Sequence, residues 1–239
     1  MDTSHIMYQV MERRHNYKYF DPDKSPSFEE IYQILSHAIK LTPVKNNNYL
    51  FYMDVFGPHY KEMKKELVLH TICRPRPLYD REETFTVEEA KKTYEEFVTY
   101  TEEGTYEEGR ITFNTQVLAP WVIKFSRRPS WIDENMKKEL KVLPPHKIEN
   151  LDFVHWYIAA GMMALNICHL ANMEGMDASF CQCFSPLDGQ EEIPLMGKAG
   201  ASTWDRQFLL CIGYKSEDNK HLYRPKGMKP RVSHISKFH

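Results

Sequence analysis

Apolar residues recur at helical spacing from Ser27 to about Leu41, where Phe28, Ile31, Leu35, Ala38 and Ile39 fall on one face. Ser27-Phe28-Glu29-Glu30 has the form of a capping box at its start, and Thr42-Pro43 ends it. The period then changes. Tyr49 to Phe56, rich in aromatic and β-branched residues and closed by Gly57-Pro58, predicts a strand, and Pro58 to Leu69 predicts a short surface helix. A second capping box, Thr86-Val87-Glu88-Glu89, opens a charged helix to about Glu103. A further helical piece precedes Pro120, Trp121 to Phe125 reads as a buried strand, Trp131 to Leu140 as a helix, and Phe208 to Ile212 as a third strand.

The longest apolar run is Phe153 to Met173, which contains no Asp, Glu, Lys or Arg. Its length would suffice to cross a bilayer. However, it contains His155, Asn166, His169 and Asn172 and is flanked by acidic Asp152 and Glu174 rather than by basic anchors. It therefore reads as the central helix of a large core, ended by Gly175, with Pro144-Pro145 in the connection that leads into it. No repeat, low-complexity block or linker divides the chain. The expected architecture is one mixed α and β domain over residues 1–239.

Composition narrows the class of function. The chain has 239 residues, 42% of them hydrophobic, which excludes a disordered or fibrous protein. With 31 Lys+Arg against 33 Asp+Glu, the net charge of −2 provides no domain-wide basic field for nucleic acid or anionic lipid, so neither nucleic acid nor a membrane is expected as a partner. The five cysteines are odd in number and lack C-x-x-C spacing, which argues against a disulfide framework and a structural zinc site. Met1 to Arg14 shows no secretory signal, so a reducing, cytoplasmic setting is expected.

Several segments could carry chemistry. Arg13-Arg14-His15-Asn16-Tyr17-Lys18 concentrates cations and hydrogen-bonding groups suited to an anion such as phosphate, although a solvated charged segment would look the same. Asn46-Asn47-Asn48 lies between a helix stop and a strand start, where Asn is also a common turn former. Lysines and arginines cluster after Lys215, as solvated tails often do. Cys181-Gln182-Cys183 suggests a redox or metal pair, but without a second cysteine pair it reads as unpaired thiols. The prolines of Cys73-Arg74-Pro75-Arg76-Pro77 exclude regular structure there. G-x-G-x-x-G, Walker, G-x-S-x-G and H-E-x-x-H motifs are all missing from the sequence.

In order, these pieces resemble the nitroreductase family of FMN-dependent oxidoreductases over most of the chain. Arg13 to Asp21 resembles the family's basic N-terminal motif. Ala38 to Phe51 is similar to its helix-end segment, placing Asn47 on the motif's Asn. Leu170 to Asp177 resembles the end of its central helix, and Phe208 to Tyr214 its last core strand with the Ile-Gly-Tyr close. Asn16, Val44, Tyr49-Leu50-Phe51, Cys183 and Met228 depart from the family pattern.

The resemblance implies an α+β fold with a mixed sheet, helices around it and a long buried central helix. It also implies a homodimer with FMN at the interface, a lid or insertion over residues 73–116 and a C-terminal extension over 215–239. On this reading Arg14, His15 and Asn16, together with Lys226 and Lys229, would meet the FMN phosphate and ribityl chain. Lys18 would face the pyrimidine edge of the flavin and Asn47 the ring edge. Gln182 would offer a backbone N–H toward flavin N5, flanked by Cys181 and Cys183. The implied activity is hydride transfer from NAD(P)H through the flavin to a planar acceptor such as a nitroaromatic or quinone, with no catalytic side chain of its own. Flavin-fragmenting and reductive-dehalogenating relatives, or a scaffold without reductase activity, are the alternatives. Aromatic residues in the lid, among them Phe85, Tyr94 and Phe97, would either roof a stacking cleft or pack the helices.

Overall fold

A computed structural model describes residues 9–10, 17–44, 49–73, 85–102, 111–128, 145–198 and 208–217. Both capping boxes form. Ser27 caps α1 (Phe28–Leu41), with its Oγ accepting from the Glu30 N–H at 3.2 Å while its own N–H donates to Glu30 Oε2 at 2.7 Å. Thr86 and Glu89 repeat the pattern, at 3.2 and 2.8 Å, ahead of α3 (Val87–Glu102). The inward stripe of α1 is rotated slightly from the expected one: Ile31, Ile34 and Ala38 are buried, whereas Phe28 and Ile39 are exposed.

Between these helices come β1 (Phe51–Phe56) and α2 (Lys61–Leu69), the latter entered by a 3-10 turn at Pro58–Tyr60. The surface helix expected here has one buried side, with Lys64, Leu67, Val68 and Leu69 turned inward. The helical piece before Pro120 is a 3-10 turn, Thr115–Leu118, and it leads into β2 (Trp121–Arg127).

The long helix α4 runs Pro145–Met173, starting well before the expected Asp152. Proline suits a helix's first position because no intrahelical partner is needed for its missing N–H. Gly175 ends α4 as expected: at φ 79° it takes the left-handed conformation while Met176 N–H reaches Ala171 O at 2.8 Å and Gly175 N–H reaches Asn172 O at 3.2 Å, the paired bonds of a Schellman stop. The sequence pattern did not signal the strands that follow, β3 (Asp177–Cys181) and the short hairpin β4 (Glu192–Ile193) with β5 (Gly197–Lys198). β6 (Phe208–Gly213) completes the fold. The helix expected over 131–140 lies outside the described residues.

Four strands form one sheet in the order β1-β2-β6-β3, and all three pairings are antiparallel, so no parallel pair occurs among the described residues. Alternation along β2 and β6 divides the interior into two layers. Trp121, Ile123, Phe125, Phe208, Leu210 and Ile212 face α1 and α4; Val122, Leu209 and Cys211 face α2, α3 and the Thr115–Leu118 turn. This double cover explains why all six residues of β6 are buried.

On α4 the buried positions Trp156, Ala159, Ala160, Met163, Ala164, Ile167, Cys168 and Ala171 make a single stripe, and two of its asparagines are hydrogen-bonded. Asn166 donates to Thr42 Oγ1 at 2.9 Å, joining α4 to the end of α1, and Asn172 donates to Cys168 O at 2.7 Å. Ile158, Leu165 and Met173 are exposed on the other side of this helix. Among the described residues no helix is long and apolar enough to cross a membrane.

Candidate functional site

The candidate site is where the chain leaves β3. Its walls are segments far apart in sequence. Residues 17–21 run beside the end of β6: Phe20 bridges Lys215, Asp21 N–H donates to Tyr214 O at 2.8 Å, and Ser216 N–H donates to Tyr19 O at 3.2 Å. A methyl group at Gly213 would approach Pro120 to 2.7 Å and Phe20 to 3.0 Å, so only glycine permits this close seating of the N-terminal segment. Lys18 is fixed by Thr115 Oγ1, which donates to its carbonyl at 2.8 Å, and its ammonium lies 3.5 Å from Phe113 O.

The second wall joins the end of α2 to residues 111–116. Cys73 and Thr112 exchange both backbone hydrogen bonds, at 2.7 and 2.9 Å, and Asn114 N–H donates to Thr71 Oγ1 at 3.0 Å. The third is the loop after β3. Ser185 N–H donates to His70 O at 2.8 Å, His70 Nδ1 lies 3.1 Å from Ser185 O, and Gln116 Nε2 reaches Phe180 O at 3.3 Å. These contacts hold residues 181–185 against 70–73 and 112–116.

Two thiols, Cys73 and Cys183, belong to this junction. The Asn114 amide Nδ2 lies 3.3 Å from Cys73 Sγ. The neighbouring Cys73 thiol is the main influence that pulls the exposed Cys183 thiol down to about 6, aided by the Asn114 amide, the Lys18 ammonium and the Gln182 N–H. Cys73 shifts the opposite way, raised first by the neighbouring Cys183 and then by burial. The tight C-x-C spacing does not pair Cys181 with Cys183. Residues two apart on a strand share a face, but Cys181 ends β3 with its side chain in the α2/α3 layer, where burial pushes its thiol up to about 12. Backbone contact alone is therefore available to a ligand at Cys181.

Of the residues singled out from sequence, the fold brings together Lys18, Cys181, Gln182 and Cys183. Arg14, His15, Asn16, Asn47, Lys226 and Lys229 lie outside the described residues. Cys73, Asn114 and Thr71 belong to the site without any local signal, because only long-range contacts bring them there. The lid aromatics Phe85, Tyr94 and Phe97 pack on the α2/α3 layer; Tyr94 and Phe97 hold Phe113 with ring centroids 5.1 and 5.4 Å away. No cluster of three metal-ligating side chains exists among the described residues. A cation and the backbone of the exposed residues Gln182 and Cys183 that follow β3 offer donors that suit the electron-rich edge of a flavin ring, so the described part of the site fits FMN.

No family model matches the chain, and no curated protein does. Solved structures match along almost its whole length. An FMN- and NADPH-dependent nitroreductase from Sphigopyxis sp. strain HMH superimposes with a TM-score of 0.57 at 13% identity, covering 98% of each chain. A nitroreductase family protein from Streptococcus pneumoniae TIGR4 gives 0.55 at 13% identity, over 97% of this chain and 99% of that one. A BluB-like flavoprotein from Clostridium difficile 630 gives 0.55 at 16% identity, over 97% and 98%. The chain adopts the α+β fold of the nitroreductase-family flavoproteins, at a sequence distance that places it far from each of these three.

Proposed function

We propose that the protein is an FMN-dependent oxidoreductase that takes hydride from NADH or NADPH and delivers it to a planar acceptor such as a nitroaromatic or quinone. The carrying observation is that the Thr115–Leu118 turn holds both Lys18, through Thr115, and the end of β3, through Gln116, beside the pairing of residues 17–21 with 214–216. Bound FMN supplies the hydride chemistry. Lys18, held by Thr115 and Phe113, would place its ammonium against the flavin edge that gains negative charge on reduction. The backbone at Gln182 would orient the ring. Arg14, His15, Asn16, Asn47, Lys226 and Lys229 would hold the phosphate, ribityl chain and ring edge, as the resemblance implies. The active form on this reading is a homodimer with the flavin between subunits in a reducing, cytoplasmic setting. The exposed apolar side chains Ile158, Leu165 and Met173 on α4 support the dimer, and five free cysteines support the setting.

The test is spectroscopic. Purified protein should show flavin absorbance, or acquire it with added FMN, and anaerobic NADH or NADPH should bleach it. Lys18→Ala should weaken FMN binding about 10- to 100-fold, the loss expected for one charge-assisted hydrogen bond. Protein that remains colourless in excess FMN would refute the reading.

A further inference from the structure

Residues 182–186 follow β3 without joining a ladder, and Gln182, Cys183, Ser185 and Pro186 are exposed. Phe184 is half-buried against the α2/α3 layer, and Leu187 is the first buried residue after Cys181. Among the described residues, Ser185 alone in this loop has its backbone bonded to another element, and both of its groups go to one residue. Its N–H donates to His70 O at 2.8 Å, and its carbonyl lies 3.1 Å from His70 Nδ1. A carbonyl can only accept, so the imidazole proton sits on Nδ1; burial holds the ring below its ordinary range and keeps it neutral at pH 7. His70 stands on fixed ground. It closes α2, donating its N–H to Leu67 O at 3.0 Å, while Thr71 beside it donates to Val68 O at 2.7 Å and accepts from Asn114 N–H at 3.0 Å.

We propose that His70 is a positioning residue for the flavin: its imidazole, acting through Ser185, fixes the backbone of Gln182 and Cys183 in the orientation that meets the ring. The assignment rests on the flavin reading above. A backbone N–H directed at a ring nitrogen has to keep its distance and angle, because a hydrogen bond weakens steeply as it bends. An irregular loop tethered only at its ends would present that N–H in many orientations, and ordering it on binding would cost affinity. The clamp on Ser185 orders the loop beforehand. Which ring nitrogen donates also matters. Nδ1 lies close to the main chain, so an asparagine amide at this position reproduces it, whereas a glutamine amide reaches as far as Nε2 and misses Ser185 O.

The experiment compares full-length wild type, His70→Asn and His70→Gln, each with and without FMN. Amide hydrogen exchange without FMN should find Ser185 protected in the wild type and in His70→Asn, and exchanging about tenfold faster in His70→Gln. By quenching of flavin fluorescence, His70→Gln should bind FMN about tenfold more weakly than the wild type, and His70→Asn within about twofold of it. The visible spectrum of the bound flavin should shift in His70→Gln alone, a change that lost stability without lost position does not produce. Equal affinities and spectra in the two variants, with flavin bound to the wild type, would overturn this proposal and leave the flavin reading standing. A wild type that binds no FMN would refute both. Circular dichroism verifies the variants. If His70→Gln does not fold, the wild type decides alone: a Ser185 amide that exchanges as freely as an unbonded loop amide before FMN is added would overturn the proposal, and a protected one would support it.

Discussion

The two faces of the sheet solve different problems. The layer under α1 and α4 is built from regular elements with an apolar stripe each: Ile31, Ile34 and Ala38 meet Trp156, Ala160, Met163 and Ile167 over Phe125 and Phe208, whose rings stack 4.6 Å apart. The layer under α2 and α3 adds a 3-10 turn and loops to its two helices, and it holds Lys64, His70, Thr71, Thr112, Asn114, Thr115 and Gln116 as buried polar residues. Irregular backbone presents N–H and C=O groups that helices and ladders would otherwise occupy, and such groups need polar partners when buried. The site stands on that side for the same reason. One face supplies packing, and the other supplies directed donors and acceptors.

The largest expected effect is in the first layer. Trp156 is fully buried and makes no hydrogen bond through Nε1 among the described residues, so its worth lies in packing. Trp156→Ala should cost about 3–5 kcal/mol in urea unfolding, as large-to-small core changes do. A loss below about 1 kcal/mol would mean that this layer relaxes freely around the gap.

Lys64 tests the second layer. It is only 2% exposed, and its ammonium donates to Gly57 O and Ala119 O at 3.0 Å and to Pro120 O at 2.6 Å, tying α2 to both ends of neighbouring strands. Lys64→Met should cost about 2–3 kcal/mol by leaving buried carbonyls without donors. Burial pulls the Lys64 ammonium down from 10.5 to about 8. Between those values the unfolded chain binds more protons than the folded one, so wild-type stability should rise with pH across the window. Thermal melts of both proteins from pH 7.5 to 10.5 should show the wild type gaining on the variant; parallel curves would show that Lys64 does not titrate there.

The smallest effect is local. Ser27→Ala removes one half of the α1 capping box and should cost about 1 kcal/mol, with the fold and both layers intact by circular dichroism. A cost near that of Trp156→Ala would make the entry to α1 part of the core rather than its edge.

Elements with a local cause were legible in the sequence. Ser27-x-x-Glu30, Thr86-x-x-Glu89 and Gly175 act within a turn of themselves, so their start and stop signals survive in the structure. β3 and the β4–β5 hairpin were not visible, since Asp177–Cys181 carries no clean alternation and owes its form to pairing with β6. α2 shows the same limit: charge made it look like a surface helix, but three carbonyls from other segments bury Lys64. In the candidate site, Lys18 and the Cys181-Gln182-Cys183 run could be singled out by residue type, whereas Cys73 and Asn114 could not.

By itself, the sequence determined where α1 and α3 begin and where α4 ends, which stretches are apolar enough for the interior and which side chains have reactive chemistry, because these depend on near neighbours and residue type. Tertiary structure alone decided which thiol is buried and which is exposed. Cys181 and Cys183 are two residues apart, yet one is buried in the core and the other is exposed, because pairing with β6 and the His70–Ser185 bonds set the course of the loop.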